Sequence, residues 1–222
     1  MSVAIITGAS RGLGRALATG LAAAGWQLVI DGRDRSALAE VGAATGALAV
    51  PGDVTDPGHR ADLVAAADRL GGVDLLVNNA GILGPSPQPG LADYPLGALR
   101  SVYEVNVFAP VALAQLVLGH VGTVVNITSD AAVEPYPGWG GYGSAKAAIE
   151  QVSRVLAAEH PAVRVWAVDP GDLRTRMHQE AFPGEDITDR PLPETVVPAF
   201  LRLLASRPES GRIRLADLLV ST

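Results

Sequence analysis

Short runs of Val, Ile and Leu alternate along the chain with longer Ala- and Leu-rich stretches whose apolar residues recur at helical spacing. The runs at Val3–Thr7, Gln27–Asp31, Ala47–Val50, Val73–Val77, Thr123–Thr128 and Val163–Val168 predict strands, with a weaker seventh at Arg212–Leu215. Helices are expected at Gly12–Ala24, Arg35–Val41, Pro57–Leu70, Leu99–Leu118, Tyr142–His160 and Pro193–Ala205. Strands that are apolar throughout belong to a parallel sheet covered on both faces. No fixed-period repeat and no linker divides the chain, so one domain is expected over residues 1–222. Two stretches break the alternation. Gly81–Leu96 carries four prolines, and Asp172–Pro193 mixes charges with Pro183, Pro191 and Pro193. The second is expected to be a substrate lid.

The connection rules turn this alternation into an α/β fold, a Rossmann-type doubly wound parallel sheet of about seven strands with helices on both faces. Ligands bind such sheets at the carboxyl ends of the strands. The residues that follow each strand should therefore carry the chemistry.

After the first strand comes Thr7-Gly8-Ala9-Ser10-Arg11-Gly12-Leu13-Gly14, and then a helix. Glycines let the chain turn tightly and bring backbone N–H groups against a pyrophosphate, and the helix N-terminus adds a favourable dipole. The spacing is T-G-x-x-x-G-x-G, and it resembles that of the short-chain dehydrogenase/reductase family. Further landmarks follow in the family's order. Asp53-Val54 follows the third strand, Asn78-Asn79-Ala80-Gly81 the fourth, and Ser129 the fifth. Tyr142-Gly143-Ser144-Ala145-Lys146 forms the Y-x-x-x-K motif, and Pro170-Gly171 follows the sixth strand. The resemblance runs from Thr7 to about Arg176.

Helical spacing of i, i+4 places Tyr142 and Lys146 on one face. A phenol titrates near 10, too high for an efficient base at neutral pH, and a neighbouring ammonium should lower that value. The resemblance implies that the oxidised nicotinamide's positive charge helps to lower the phenol as well, and it implies the remaining roles. Tyr142 would exchange a proton with the substrate oxygen while hydride passes between cofactor and carbon. Lys146 would also bond the cofactor's ribose, Ser129 would hold the substrate oxygen, and Asn106 would fix a water in a relay to Lys146. Cofactor contacts are implied for Gly8, Ser10, Arg11, Gly12, Leu13 and Gly14 in the first turn. Asp53 and Val54 would meet the adenine, and Asn79, Ala80, Gly81, Pro170, Gly171 and Thr175 would line the rest. Leu83–Pro85, Ala131–Trp139 and the lid would form the substrate pocket, with Val133, Tyr136, Trp139, Met177 and Phe182 supplying apolar area. Where the family often has an apolar or aromatic residue after P-G, this chain has Asp172.

The cofactor's identity rests on Val29-Ile30-Asp31-Gly32-Arg33. Asp31 stands near where an acidic residue would bond the ribose of NAD. A small residue followed by Arg resembles the family's NADP-using members instead, with Gly32 at the discriminating position and Asp31 turned to the other side of the strand. Arg33, with Arg11 on the same side, would then meet the 2′-phosphate. NADP(H) is the expected cofactor and NAD(H) the alternative. A catalytically silent NADP(H)-binding sensor is the runner-up to an enzyme.

Composition narrows the partners. Hydrophobic residues make up 48% and charged residues 18%, which supplies one packed core and leaves no room for a long disordered tail. The net charge is −6, with no basic run, so neither nucleic acid nor an anionic membrane is an expected partner. The absence of cysteine rules out disulfides, thiolate metal sites and thiol nucleophiles. His59, His120, His160 and His178 are scattered without metal-ligand spacing; each is expected at the surface, and no metal is expected. The chain enters its first strand without a basic leader, and Val105–Thr128 is interrupted by Pro110, Gln115 and His120. A cytoplasmic protein without a signal peptide or membrane span is therefore expected. Asp169 and Asp172 flank the P-G turn and are expected to cap or solvate it. The short tail Leu215–Thr222 lacks the D-G-G turn that relatives use in tetramer contacts. A homodimer through the two long helices is expected rather than a tetramer.

Overall fold

The computed structural model describes residues 1–219. Val220, Ser221 and Thr222, the end of the short tail, lie outside them. The sheet has seven strands: β1 (Val3–Ile6), β2 (Gln27–Gly32), β3 (Leu48–Pro51), β4 (Leu75–Asn78), β5 (Thr123–Ile127), β6 (Arg164–Asp169) and β7 (Gly211–Arg214). All pairings are parallel, in the order β3-β2-β1-β4-β5-β6-β7. Strands β1, β4 and β5 are buried along their whole length; β1 is apolar throughout, whereas the buried Asn78 and Asn126 of β4 and β5 hydrogen-bond to each other at 2.8 Å. Successive side chains alternate between two cores. Ala4 and Ile6 pack with Leu17, Leu21 and Phe200 on one face, and Val3 and Ile5 with Leu63, Leu113 and Val117 on the other.

The strand order reverses between β1 and β4, and this opens a crevice at their carboxyl ends. Helices α1 (Gly12–Ala23), α2 (Arg35–Thr45) and α3 (Pro57–Asp68) follow the first three strands. Asp34 and Asp56 cap α2 and α3, accepting from the N–H groups of Ala37 (3.1 Å) and Gly58 (2.8 Å).

The long helix predicted at Leu99–Leu118 differs from expectation. It starts at Leu96 as α4 (Leu96–Tyr103), widens into a π turn at Glu104–Phe108, and resumes as α5 (Ala109–Val117). Pro110 marks the change of register, because its ring nitrogen cannot donate to the carbonyl of Asn106 one turn earlier. Helix α6 (Gly140–Glu159) begins two residues before Tyr142. The expected loop Asp172–Pro193 contains a short helix, α7 (Arg176–Ala181), capped by the Thr175 hydroxyl accepting from the N–H of His178 (3.2 Å). The chain then forms a 3₁₀ turn (Pro193–Val196), α8 (Val197–Ser206) and, after β7, α9 (Leu215–Leu219). Among the described residues no helix is long and apolar enough to cross a membrane.

Candidate active site

The glycine-rich turn is stitched across the switch point. The Thr7 hydroxyl accepts the N–H groups of Asn79 (3.0 Å) and Ala80 (2.9 Å), and the Asn79 amide donates to the carbonyls of Thr7 (2.8 Å) and Gly8 (3.2 Å). Gly8 and Gly12 have φ of 66° and 55°, a region that L side chains rarely adopt. A Cβ on Gly14 would collide with the Gly8 carbonyl, so the first turn of α1 fits here only with a glycine at this position. Helix α1 has no side-chain cap and no acidic residue in its first turn. Its free N–H groups are a ready anion site, and these features fit a pyrophosphate.

Asp31 is buried beneath this turn. One carboxylate oxygen accepts the Gly8 N–H at 2.5 Å and the other lies 3.1 Å from His59 Nε2. His59 is 7% exposed, which corrects its expected place at the surface: Asp31 and the cut-away side of Gly52 draw its ring inward. His178 is also largely buried, against the Phe182 ring at 4.9 Å, because α7 folds over the crevice. Asp31 thus spans two partners and is 2% exposed.

Arg33 is exposed beside Asp53. Asp53 is held below the usual carboxylate range first by the Thr55 backbone N–H, with the Arg33 charge contributing. Arg11 pairs with Asp34 at 2.9 Å, but both side chains are nearly half exposed, so the pair holds Arg11 only weakly. Val54 is buried alongside.

On the other side of the crevice, Tyr142 and Lys146 project from α6, 7% and 5% exposed. Lys146 Nζ sits 5.4 Å from the Tyr142 ring centre and donates to the Ile127 carbonyl at 2.8 Å. Asn106, carried by the π turn, is buried and pairs through both side-chain atoms with the Ile82 backbone, each at 2.9 Å. A Cβ on Gly81 would come within 3.1 Å of Asn106 Oδ1 and 3.8 Å of Lys146 Nζ. The three segments therefore converge closely enough that a side chain at position 81 would press on Asn106. Ser129 ends β5 and caps a 3₁₀ turn (Asp130–Ala132); its hydroxyl donates to Asp130 Oδ1 at 2.9 Å.

The titration behaviour departs from the sequence expectation. Burial, reinforced by the charges of Asp130 and Asp169, pushes the Tyr142 phenol up from its ordinary value of 10.0. Burial likewise lowers Lys146 from 10.5 to about 8. In the unliganded protein, loss of hydration outweighs the attraction of the ammonium for a phenolate.

An aromatic ladder leads outward from Tyr142 to Trp139 and on to Phe182, with 5.9 Å between ring centres at both steps. Thr175 reaches back so that its methyl lies 3.5 Å from a Cβ built on Gly12. Asp169 caps the P-G turn as expected, accepting the Gly171 N–H at 2.9 Å, whereas Asp172 stays exposed near Arg190. Beside the turn lies a cavity of about 220 Å³ lined by Asp130, Asp169, Gly171, Asp172, Arg214 and Ala216. Among the described residues no group of three His, Cys, Asp or Glu could hold a metal ion.

A parallel sheet whose switch point opens beside a glycine-rich turn and an uncapped helix is the architecture of a dinucleotide-binding protein. The family model for short chain dehydrogenases matches residues 2–186. Sepiapterin reductase from Meriones unguiculatus is 38% identical over 202 residues, covering 81% of this chain and 77% of that one. A short chain dehydrogenase from Pseudomonas syringae superposes with a TM-score of 0.90 at 29% identity, over 96% of this chain and 94% of its own. One from Shigella flexneri, complexed with NADP, gives 0.85 at 27% identity, over 96% and 95%. The chain belongs to the short-chain dehydrogenase/reductase family, and it is an oxidoreductase acting on CH–OH or C=O groups.

Proposed function

We propose that this protein is an NADP(H)-dependent oxidoreductase that interconverts a small, partly apolar carbonyl compound and its alcohol, with Tyr142 as acid and base. The convergence of Lys146 and Asn106 on Gly81, with the Lys146 ammonium 5.4 Å from the centre of the Tyr142 ring, carries this reading. Bound NADP(H) supplies or accepts the hydride. The turn from Gly8 to Gly14 and the start of α1, with Ser10, Arg11, Gly12 and Leu13, would hold the pyrophosphate side. Asp53 and Val54 would flank the adenine, and Asn79, Ala80 and Gly81 the middle of the cofactor. Lys146 would bond the ribose, and Pro170, Gly171 and Thr175 would meet the carboxamide end. Ser129 orients the substrate oxygen, Tyr142 gives it a proton, and Lys146 with Asn106 restores that proton from solvent.

Nicotinamide absorbance followed across a panel of ketones, aldehydes and alcohols tests the reading. Cofactor binding without turnover on any of them would make the chain a silent sensor instead. The acidic, cysteine-free composition fits a cytoplasmic setting. Phe108, Leu116 and Val155 expose apolar side chains on α5, α6 and the π turn, which supports a homodimer through those helices.

The engagement of Asp31 by Gly8 and His59 removes the residue that would bond the ribose of NAD and favours NADP(H). Replacing Arg33 with Ser should lower kcat/KM for NADPH by roughly 10–100-fold, the worth of a charge-assisted phosphate contact, and leave NADH use little changed. Adding Gly32→Asp should turn preference to NADH, although its Cβ would lie 3.1 Å from the Ser10 side chain and require a small shift. A parent that already prefers NADH would overturn the assignment.

Residues 172–193 act in this reading as the lid. Hydrogen exchange there should slow when NADP(H) and substrate bind; equal protection in both states would contradict a lid.

A further inference from the structure

We propose that Arg212, on edge strand β7, is a positioning residue for the reaction: one guanidinium ties the ends of β5 and β6 to helix α6 and so sets Ser129, the Pro170–Gly171 turn and Tyr142 in register. The inference rests on the oxidoreductase reading of that site. Arg212 Nε donates to Glu150 Oε1 at 2.9 Å, and Nη2 donates to Asp169 Oδ2 at 2.8 Å and to the Ser129 carbonyl at 3.4 Å. Glu150 lies one helical turn beyond Lys146, and the same oxygen accepts the Thr128 hydroxyl at 2.8 Å. Its other oxygen is 4.0 Å from the exposed Arg154. Asp169 holds the Gly171 N–H with its second oxygen. Ser129 is therefore bound directly, the Pro170–Gly171 turn through Asp169 just before it, and Tyr142 through Glu150, about two turns further along the same helix.

The energetics argue for register rather than stability. Glu150 and Asp169 are 3% and 6% exposed at the side chain, and burying two carboxylates around one cation is costly. Well-packed apolar residues of similar volume often stabilise a fold as well or better. The network also bears on charge. Tyr142 faces Lys146 from its own helix, Asp130 from the 3₁₀ turn and Asp169 from β6. Arg212, paired with Asp169, offsets one of the two carboxylates that hold the phenol high. A structural tie alone would have no such consequence.

The test uses the full chain with NADPH and butane-2,3-dione as the probe carbonyl. Arg212→Lys keeps the charge but cannot span three acceptors. Its kcat should fall roughly tenfold or more through misplacement of the site, with KM for the dione little changed and the pH profile where the parent has it. Arg212→Met should lose at least as much and move the tyrosine limb of the profile to higher pH. Should that variant not fold, the triple variant Arg212→Met, Glu150→Gln, Asp169→Asn buries no unpaired charge. It should show the same loss in kcat, with the limb at or below the parent's pH. Parent-like kcat in both Arg212→Lys and the triple variant would overturn the proposal. If the parent reduces neither the dione nor any other carbonyl of the panel, the failure belongs to the oxidoreductase reading, and NADPH fluorescence decides the inference. A several-fold weaker Kd in Arg212→Lys supports it, and an unchanged Kd overturns it.

Discussion

Replacing Tyr142 with Phe is expected to lower turnover by roughly 10²–10⁴-fold, the usual contribution of a positioned general acid. The substitution removes only the hydroxyl. The ring keeps its edge contact with Trp139 and its place against Leu83 and Ala131, so the fold and the cofactor crevice should be preserved. The affinity for NADPH should therefore change far less than kcat, which is the pattern of an interaction made only in the transition state. Steady-state kinetics on a reduced carbonyl, with NADPH binding followed by fluorescence, separates the two quantities. A Tyr142→Phe protein with nearly full turnover would show that the proton comes from elsewhere.

Lys146→Met should abolish most activity and yet stabilise the unliganded protein near neutral pH. Loss of a preorganised cation at such a site typically costs about 10²–10³-fold in rate. Stability runs the other way because the buried ammonium is held at about 8, against 10.5 when free. Below about pH 8 both folded and unfolded chains carry the proton, and the folded chain bears the full penalty of burying it. That penalty is on the order of 3 kcal/mol from the difference between the two values. Between about pH 8 and 10.5 the unfolded chain binds a proton that the folded chain does not. The parent's stability contribution from this residue therefore rises with pH in that window. Losing the bond to the Ile127 carbonyl offsets part of the gain, by about 1–3 kcal/mol. Urea unfolding at pH 7 and pH 10 should show the variant's advantage shrinking or reversing as pH rises. A stability difference that does not move with pH would contradict the buried-ammonium account.

The two replacements probe one compromise from opposite ends. In the proposed mechanism, a lysine placed where water is excluded gives up folding stability so that a charge stands near the phenol when cofactor and substrate arrive. The phenol, raised by the same exclusion of water, stays protonated until then. The sequence expectation of a phenol lowered by the ammonium and, by resemblance, by the oxidised nicotinamide considered the charges and left out the burial of Tyr142 and Lys146.

What the sequence determined by itself was whatever local spacing encodes. Alternation of apolar runs with helical stretches predicted the parallel sheet, because strands buried on both faces are mostly apolar. The T-G-x-x-x-G-x-G turn and the Tyr142–Lys146 spacing were legible for the same reason: each is a short-range backbone or helix-face requirement. The tertiary structure alone decided the pairings between distant residues. His59 reaches Asp31 across 28 positions, and Arg212 meets Glu150 across 62, only because the strand order brings those elements side by side. The π turn that buries Asn106 and the helix α7 that closes over Tyr142 also depended on packing rather than pattern. So did the protonation of the site: whether a phenol rises or falls follows from how much water the folded chain leaves around it, and no spacing of residues records that.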